Sequence, residues 1–339
     1  MRLGIIGLPG SGKSTIFQAL TRSNKGHRIA AVRVPDERVD VLNRLFKPDK
    51  TVYARIEYLL PSGTRAYSQD GRSDESFWSE VRPCDALIHV VRNFHRPGGE
   101  TPHPRDDFLR LETDMIFADL VVVEKRIERL DLDKKRGKKV NAEELLMLSA
   151  CLRMLEAQRP LRNDTELAVA PLLKGYTFLS AKPVLVLFNN GDEDESPPPW
   201  EEPPELHNPL VVRGELEMEL AGLPPEEAAE FLTAYHIKDS AVERVIRHSC
   251  SVLGLIRFFT VANNEVRCWL IPKETTAIDA AEVIHSDMKR GFIRAEVLAY
   301  DDLSSAGTYQ EAKKEGKVRL EGKAYTVQDG DIINFHFNV

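Results

Sequence analysis

Nine consecutive residues, Gly7-Leu8-Pro9-Gly10-Ser11-Gly12-Lys13-Ser14-Thr15, have the types and spacing to hold a polyphosphate. They fit G-x-x-x-x-G-K-[ST]. In that pattern glycines let the backbone curl until successive N–H groups face one anion. The lysine reaches the β- and γ-phosphates, and the hydroxyl after it sits on Mg²⁺. Pro9, Gly10, Ser11, Gly12, Lys13, Ser14 and Thr15 are therefore the predicted binding residues, with Ser14 as the metal ligand. The setting agrees: Arg2 to Ile6 reads as a short buried strand and Ser14 to Leu20 as the start of a helix. The positive end of that helix adds to the phosphate site. The expected ligand is a nucleoside triphosphate, GTP or ATP, with Mg²⁺.

A second cluster bears on the base. Asn189-Asn190-Gly191-Asp192 follows an apolar run ending at Phe188, in the place of the N-K-x-D motif. An aspartate there accepts from guanine N1–H and the 2-amino group, donors that adenine lacks, and an acceptor left unpaired is costly. Asn189, Asn190 and Asp192 are the predicted base-side residues. Asp192 also opens the acidic run Asp192-Glu193-Asp194-Glu195, so a solvated loop is the competing reading. A slight preference for GTP is expected, with ATP bound too. Arg213-Gly214-Glu215-Leu216 falls where a last base-binding loop would lie, yet Glu215 to Leu220 equally reads as the first turn of a helix. His89, His285 and His336 show no metal spacing and read as structural. Trp78, Trp200 and Trp269 show no stacking arrangement.

The elements that must position these residues alternate. Ile29 to Val34, Ala54 to Leu60, Ala86 to Val91 and Pro183 to Phe188 read as strands. Nearly continuous apolar runs point to a mainly parallel sheet covered on both faces. Ile116, Leu120, Val123, Ile127 and Leu130 recur at spacings of four and three, and Leu145, Leu148, Leu152 and Leu155 repeat the pattern. This predicts an antiparallel helical hairpin, with Asn141 and Glu144 capping the returning helix. The basic knot Lys134-Lys135-Arg136-Gly137-Lys138-Lys139 lies at its tip, either as a solvated end or as a contact for RNA phosphate. Towards the end of the chain, Thr276 to Ile284 reads as a helix. Arg294 to Val297, Val318 to Leu320, Lys323 to Val327 and Ile332 to Val339 read as strands of a small α+β module.

Composition bounds the rest. A chain of 339 residues with a net charge of −7 is no general nucleic-acid binder. No apolar run approaches the roughly 18 residues that cross a bilayer, and the N-terminus enters a strand at once. A cytoplasmic protein without membrane contact is expected, as is a monomer. The cysteines Cys84, Cys151, Cys250 and Cys268 form no C-x-x-C pair and read as buried thiols. Gly191 to Glu205, acidic and proline-rich, reads as an extended loop.

Over nearly its whole length the chain resembles the YchF / Obg-like ATPase family. The likeness is carried by Gly4-Ile5-Ile6-Gly7-Leu8-Pro9, Val34-Pro35-Asp36-Glu37-Arg38, Phe46-Lys47-Pro48 and Cys84 to Arg92. Its most specific part is Gly291 to Val297, Tyr300-Asp301-Asp302-Leu303 and Val327-Gln328-Asp329-Gly330-Asp331. The resemblance implies an α/β P-loop G domain over 1–107 and 171–272, an inserted helical hairpin over 108–170, and a C-terminal β-grasp (TGS) domain over 273–339. It also implies a ribosome-associated nucleotidase that favours ATP or takes both nucleotides, with ribosome or rRNA contacts through the hairpin tip and TGS domain.

The departures from the family pattern bear on hydrolysis. Gly10 stands where the family has an asparagine, linked by analogy to monovalent-cation binding. No threonine lies between Thr21 and Thr51, so the threonine of switch I is missing. The D-x-x-G segment reads Leu60-Pro61-Ser62-Gly63, and a leucine cannot hold Mg²⁺ through water. The Gly-rich segment expected after it is unrecognisable in Thr64 to Glu80. Phosphoryl transfer depends on positioning and on neutralising developing charge, so binding with weak hydrolysis is expected and no catalytic residue is assigned. An active nucleotidase with non-standard switch residues, or a nucleotide-stabilised scaffold, is the alternative.

Overall fold

The computed structural model describes residues 1–339 except 24–25, 63–74, 96–98, 200–208, 235–239, 263 and 339. Gly63, Trp200 and most of the expected switch segments therefore lie outside the described residues. The strands are β1 (Arg2–Ile6), β2 (Ile29–Arg33), β3 (Lys50–Val52), β4 (Arg55–Leu59), β5 (Ala86–Asn93) and β6 (Val184–Asn190). They continue with β7 (Leu210–Val212), β8 (Leu255–Ala262), β9 (Glu265–Pro272), β10 (Phe292–Ala299), β11 (Arg319–Glu321) and β12 (Asp331–Phe337). The helices used below are α1 (Lys13–Thr21), α2 (Glu37–Phe46), α3 (Glu75–Val81), α4 (Pro104–Lys135) and α5 (Ala142–Glu156). After them come α6 (Thr165–Val169), α7 (Gly214–Gly222), α8 (Pro225–Ala234), α9 (Ala241–Val252) and α10 (Ala277–Ile284).

One sheet runs β2-β4-β1-β5-β6-β7, and its β1–β4, β1–β5, β5–β6 and β6–β7 pairs are parallel. The first six residues of β5 and the last six of β6 are buried without interruption, as strands covered on both faces require. On one side Ile6, Leu59, Phe77, Trp78, Leu111, Met115 and Leu179 form a continuous core. Asp119 of α4, wholly buried, ties this side together. It accepts the Leu179 and Ser180 N–H groups at 3.0 and 2.7 Å and pairs with Arg82 at 3.0 Å.

The predicted hairpin forms. Ile116, Val123 and Leu130 of α4 are buried in one cluster with Leu148, Cys151 and Leu155 of α5. Asn141 caps α5 by accepting the Glu143 and Glu144 N–H groups. Lys134 and Lys135 at the end of α4, and Arg136, Lys138 and Lys139 just after it, are exposed. Lys138 pairs with Asp133 at 2.7 Å. All four cysteines are free and buried.

The chain divides into two compact units, 1–31 with 57–245 and 32–56 with 246–339. The expected boundary at residue 273 falls after β9, inside the second unit. The β8–β9 hairpin belongs to the second unit because its strands are hydrogen-bonded there. The second sheet runs β11-β10-β12-β8-β9-β3, with β12 parallel to β8 and β8 antiparallel to β9. Ala277, Ala280 and Ala281 of α10 pack on Phe258, Ile271, Val297, Ile333 and Phe335, so that the helix covers strands of the second sheet. The segment 32–56 also joins this unit, through the parallel β3–β9 pair. Lys323 to Val327 is not a strand. Only Thr326 bridges to Thr276, because Tyr325 and Val327 turn their backbone towards the start of α10. Thr276 caps α10 as expected.

Two of the quoted family segments meet inside the second unit. Arg38 donates to Asp36 at 2.9 Å and to Asp329 at 2.8 Å, and Arg257 donates to Asp36 at 3.1 Å. Burial alone would raise the Asp36 carboxyl, but the Arg38 and Arg257 guanidiniums outweigh it and hold its pKa below the usual range.

Candidate nucleotide site

β1 ends at Ile6, and the chain then turns sharply before α1. Gly7, Gly10 and Gly12 all have positive φ, and Gly12, at φ 91, is the N-cap of α1. A Cβ on Gly7 would stand 2.4 Å from the Val90 carbonyl oxygen, and one on Gly12 would stand 2.1 Å from Asn189 Nδ2. Both positions thus demand glycine for conformation and for space. Pro9, Gly10 and Ser14 are exposed, Thr15 is half-buried, and Ser11 is buried. The Ser11 N–H donates to Leu8 O at 3.1 Å, which closes the loop.

Lys13 Nζ donates to Gly7 O at 2.7 Å and to Leu8 O at 2.8 Å. Burial lowers its pKa to about 8. Beside the loop, His89 of β5 is fully buried, stacks on Phe108 and is kept neutral. Burial, then the charges of Arg162 and Lys13, lower its pKa to about 3. Its reading as structural is consistent with that burial.

Asn189 joins the loop to the far end of the site. Its Nδ2 donates to Ser11 O at 3.0 Å, and its Oδ1 accepts the Gly214 N–H at 3.0 Å. A Cβ on Gly214 would come within 2.6 Å of Asn189 Oδ1. Gly214 therefore matters as much to this clasp as Gly12 does. The sequence held one cue, the glycine in Arg213-Gly214-Glu215-Leu216, and the helical reading of that segment is the one observed. The segment begins α7 and also touches Asn189.

Asn190 is buried and holds the following loop. It donates to Asp194 O and Ser196 O at 3.0 and 2.7 Å and accepts from Asn93 at 2.9 Å. Asp192 is exposed and accepts the Leu216 N–H at 3.3 Å. The acidic loop is thus fixed against the first turn of α7. At the D-x-x-G position, Leu60 donates its N–H to Arg28 O at 2.7 Å. Glu80 of α3 accepts the Ser62 N–H at 3.0 Å and also bonds the Ser62 hydroxyl. The only acid bonded to this turn among the described residues is therefore Glu80, a residue the motif reading did not anticipate.

The chain is similar to known proteins over its whole length. The "Ribosome-binding ATPase YchF" of Bacillus subtilis (strain 168) is 36% identical over 362 residues, covering 99% of both chains. Its namesake from Pasteurella multocida is also 36% identical, over 100% of this chain and 99% of that one. This chain belongs to the YchF family. The family model YchF-GTPase_C, described as "Protein of unknown function (DUF933)", matches residues 255–338. Its start coincides with β8. The structure of the Schizosaccharomyces pombe YchF GTPase superposes with a TM-score of 0.83 at 28% identity, over 99% of this chain and 97% of that one. A GTP binding protein from Pyrococcus horikoshii OT3 shares the fold at a TM-score of 0.59 and 18% identity.

Proposed function

We propose that this YchF-family protein binds a nucleoside triphosphate at residues 9–15, hydrolyses it slowly, and works on the ribosome. The glycine-built loop, with Lys13 at its mouth and Asn189 locking it to the base-side turn, carries this reading. The relatives named ribosome-binding ATPases and the structural neighbour titled a GTPase support a ribosome partner and either purine nucleotide. A ribosome partner in turn implies work in the cytoplasm. No helix among the described residues is long and apolar enough to cross a membrane.

Mg²⁺ fits this site only together with the nucleotide. The Ser14 hydroxyl is exposed at the start of α1, but among the described residues no group of three His, Cys, Asp or Glu side chains could hold a metal. Phosphate oxygens and water would complete its shell, and the ion would neutralise charge on the phosphates. Leu60 offers it nothing, and Glu80 is engaged with Ser62. Slow turnover follows from that missing acid. The hairpin tip and the β-grasp (TGS) portion of the second unit are the proposed rRNA contacts.

Single-turnover hydrolysis of labelled ATP and GTP tests the slow-turnover reading. The expected result is tight binding lost in Lys13→Ala, with cleavage far slower than in relatives that keep the aspartate. Turnover at the relatives' rate, abolished by Lys13→Ala, would sink it.

A further inference from the structure

In the segment Arg213-Gly214-Glu215-Leu216, the first side chain has no role in the readings above. Arg213 immediately precedes α7, and its side chain is 18% exposed. Its Nη1 donates to the Asp192 carbonyl at 3.2 Å and pairs with Glu195 Oε1 at 3.0 Å. Asp192 in turn has one carboxylate oxygen, Oδ1, held by the Leu216 N–H. Among the described residues, Asp192 Oδ2 and the Nε and Nη2 groups of Arg213 have no hydrogen-bond partner. The Arg213 Nη1 contact joins the two loops, and each loop brings polar atoms that are free among the described residues.

We propose that Asp192 and Arg213 together read the edge of guanine. Asp192 Oδ2 accepts from N1–H and the 2-amino group, and an Arg213 N–H donates to O6. This rests on the nucleotide reading above. Guanine presents an acceptor beside two donors, and the pair presents a donor beside an acceptor. Adenine presents the opposite order, its 6-amino group facing the guanidinium and its N1 facing the carboxylate. Both contacts then become like-facing-like, a mismatch at two points where an aspartate alone gives one.

The surroundings hold the pair in place. The Leu216 N–H orients the carboxylate, and Glu195 orients the guanidinium and balances its charge. Asn189 fixes both relative to the phosphate loop through Ser11 O and the Gly214 N–H. Arg213 suits the task because its planar fork can keep the loop contacts on one nitrogen and offer another to the base.

Calorimetric titrations of the full chain with GTP, ATP and tripolyphosphate test this. Loss of one charge-assisted hydrogen bond corresponds to about tenfold in affinity or more. Arg213→Ala is therefore expected to weaken GTP about tenfold, to leave tripolyphosphate within about twofold, and to leave ATP no weaker than before. Arg213→Lys, which keeps the charge opposite Glu195 but lacks a second rigid donor, is expected to lose GTP selectively as well. Asp192→Asn, which turns an acceptor into a donor, is expected to shift preference from GTP to xanthosine triphosphate. An unchanged GTP-to-ATP ratio in the Arg213 variants, with tripolyphosphate still bound, overturns the proposal and leaves the phosphate site intact. Failure of the unaltered protein to bind tripolyphosphate or either nucleotide removes the phosphate site and the proposal with it.

Discussion

Lys13 bonds the carbonyls of Gly7 and Leu8, and its burial brings its pKa down to about 8. A polyphosphate at the proposed site would take the ammonium form, so its affinity would be tied to that proton. The expected outcome is binding about tenfold weaker at pH 9 than at pH 7, because the ammonium fraction falls by about that factor across a pKa near 8. Titrations over this range check it, and Lys13→Arg, which cannot lose its proton there, should flatten the slope. The effect on folding has the opposite sign. Between about pH 8 and the ordinary value of 10.5 the unfolded chain binds more protons at this residue, so its contribution to stability rises with pH. At neutral pH the buried ammonium works against the ligand-free fold, and bound phosphate relieves it.

At the scale of elements, the hairpin turns an apolar seam into reach. Val123, Leu130, Leu148 and Leu155 bury its inner face, which leaves the helix ends free to project their charge. Among the described residues Lys134, Lys135, Arg136 and Lys139 form no ion pair, unlike Lys138. Side chains already neutralised would release few counterions from RNA, whereas these four retain that capacity. Reversing the charge of all four is expected to weaken co-sedimentation with ribosomes, and to flatten its dependence on salt. An unchanged profile would leave the tip as a solvated end. The seam was legible from its four-and-three spacing, since a helix must bury residues at that period wherever it has a partner.

At the scale of the whole molecule, the second unit draws its parts from distant stretches of chain. Its ion-pair network joins Asp36 and Arg38 to Arg257 and Asp329. With a lowered carboxyl pKa, Asp36 stabilises this unit fully above about pH 4, and that contribution is lost as pH falls through its folded value. Asp36→Asn is expected to lower the unit's melting temperature at neutral pH and to remove part of its sensitivity to acid below about pH 4. Melting curves of both proteins across that range provide the measurement. The place of β8 and β9 was not legible in the sequence for a related reason. β8 and β9 have the same apolar look as the strands of the first sheet, and nothing local says which sheet receives them. Likewise Lys323 to Val327 alternates as a strand would, but its backbone groups find α10 before a partner strand.

The amino-acid sequence alone determined the phosphate loop, the hairpin and the family, because each depends on short-range rules: glycine at positive φ, helical periodicity, quoted motifs. It also held the loss at Leu60, since an absent carboxylate needs no fold to be noticed. Only the tertiary structure decided that Asn189 clasps Ser11 to Gly214, that Arg213 meets Asp192, and that residues 32–56 belong with the C-terminal strands. Those contacts join residues far apart along the chain, and their pairing is set by packing rather than by any local preference.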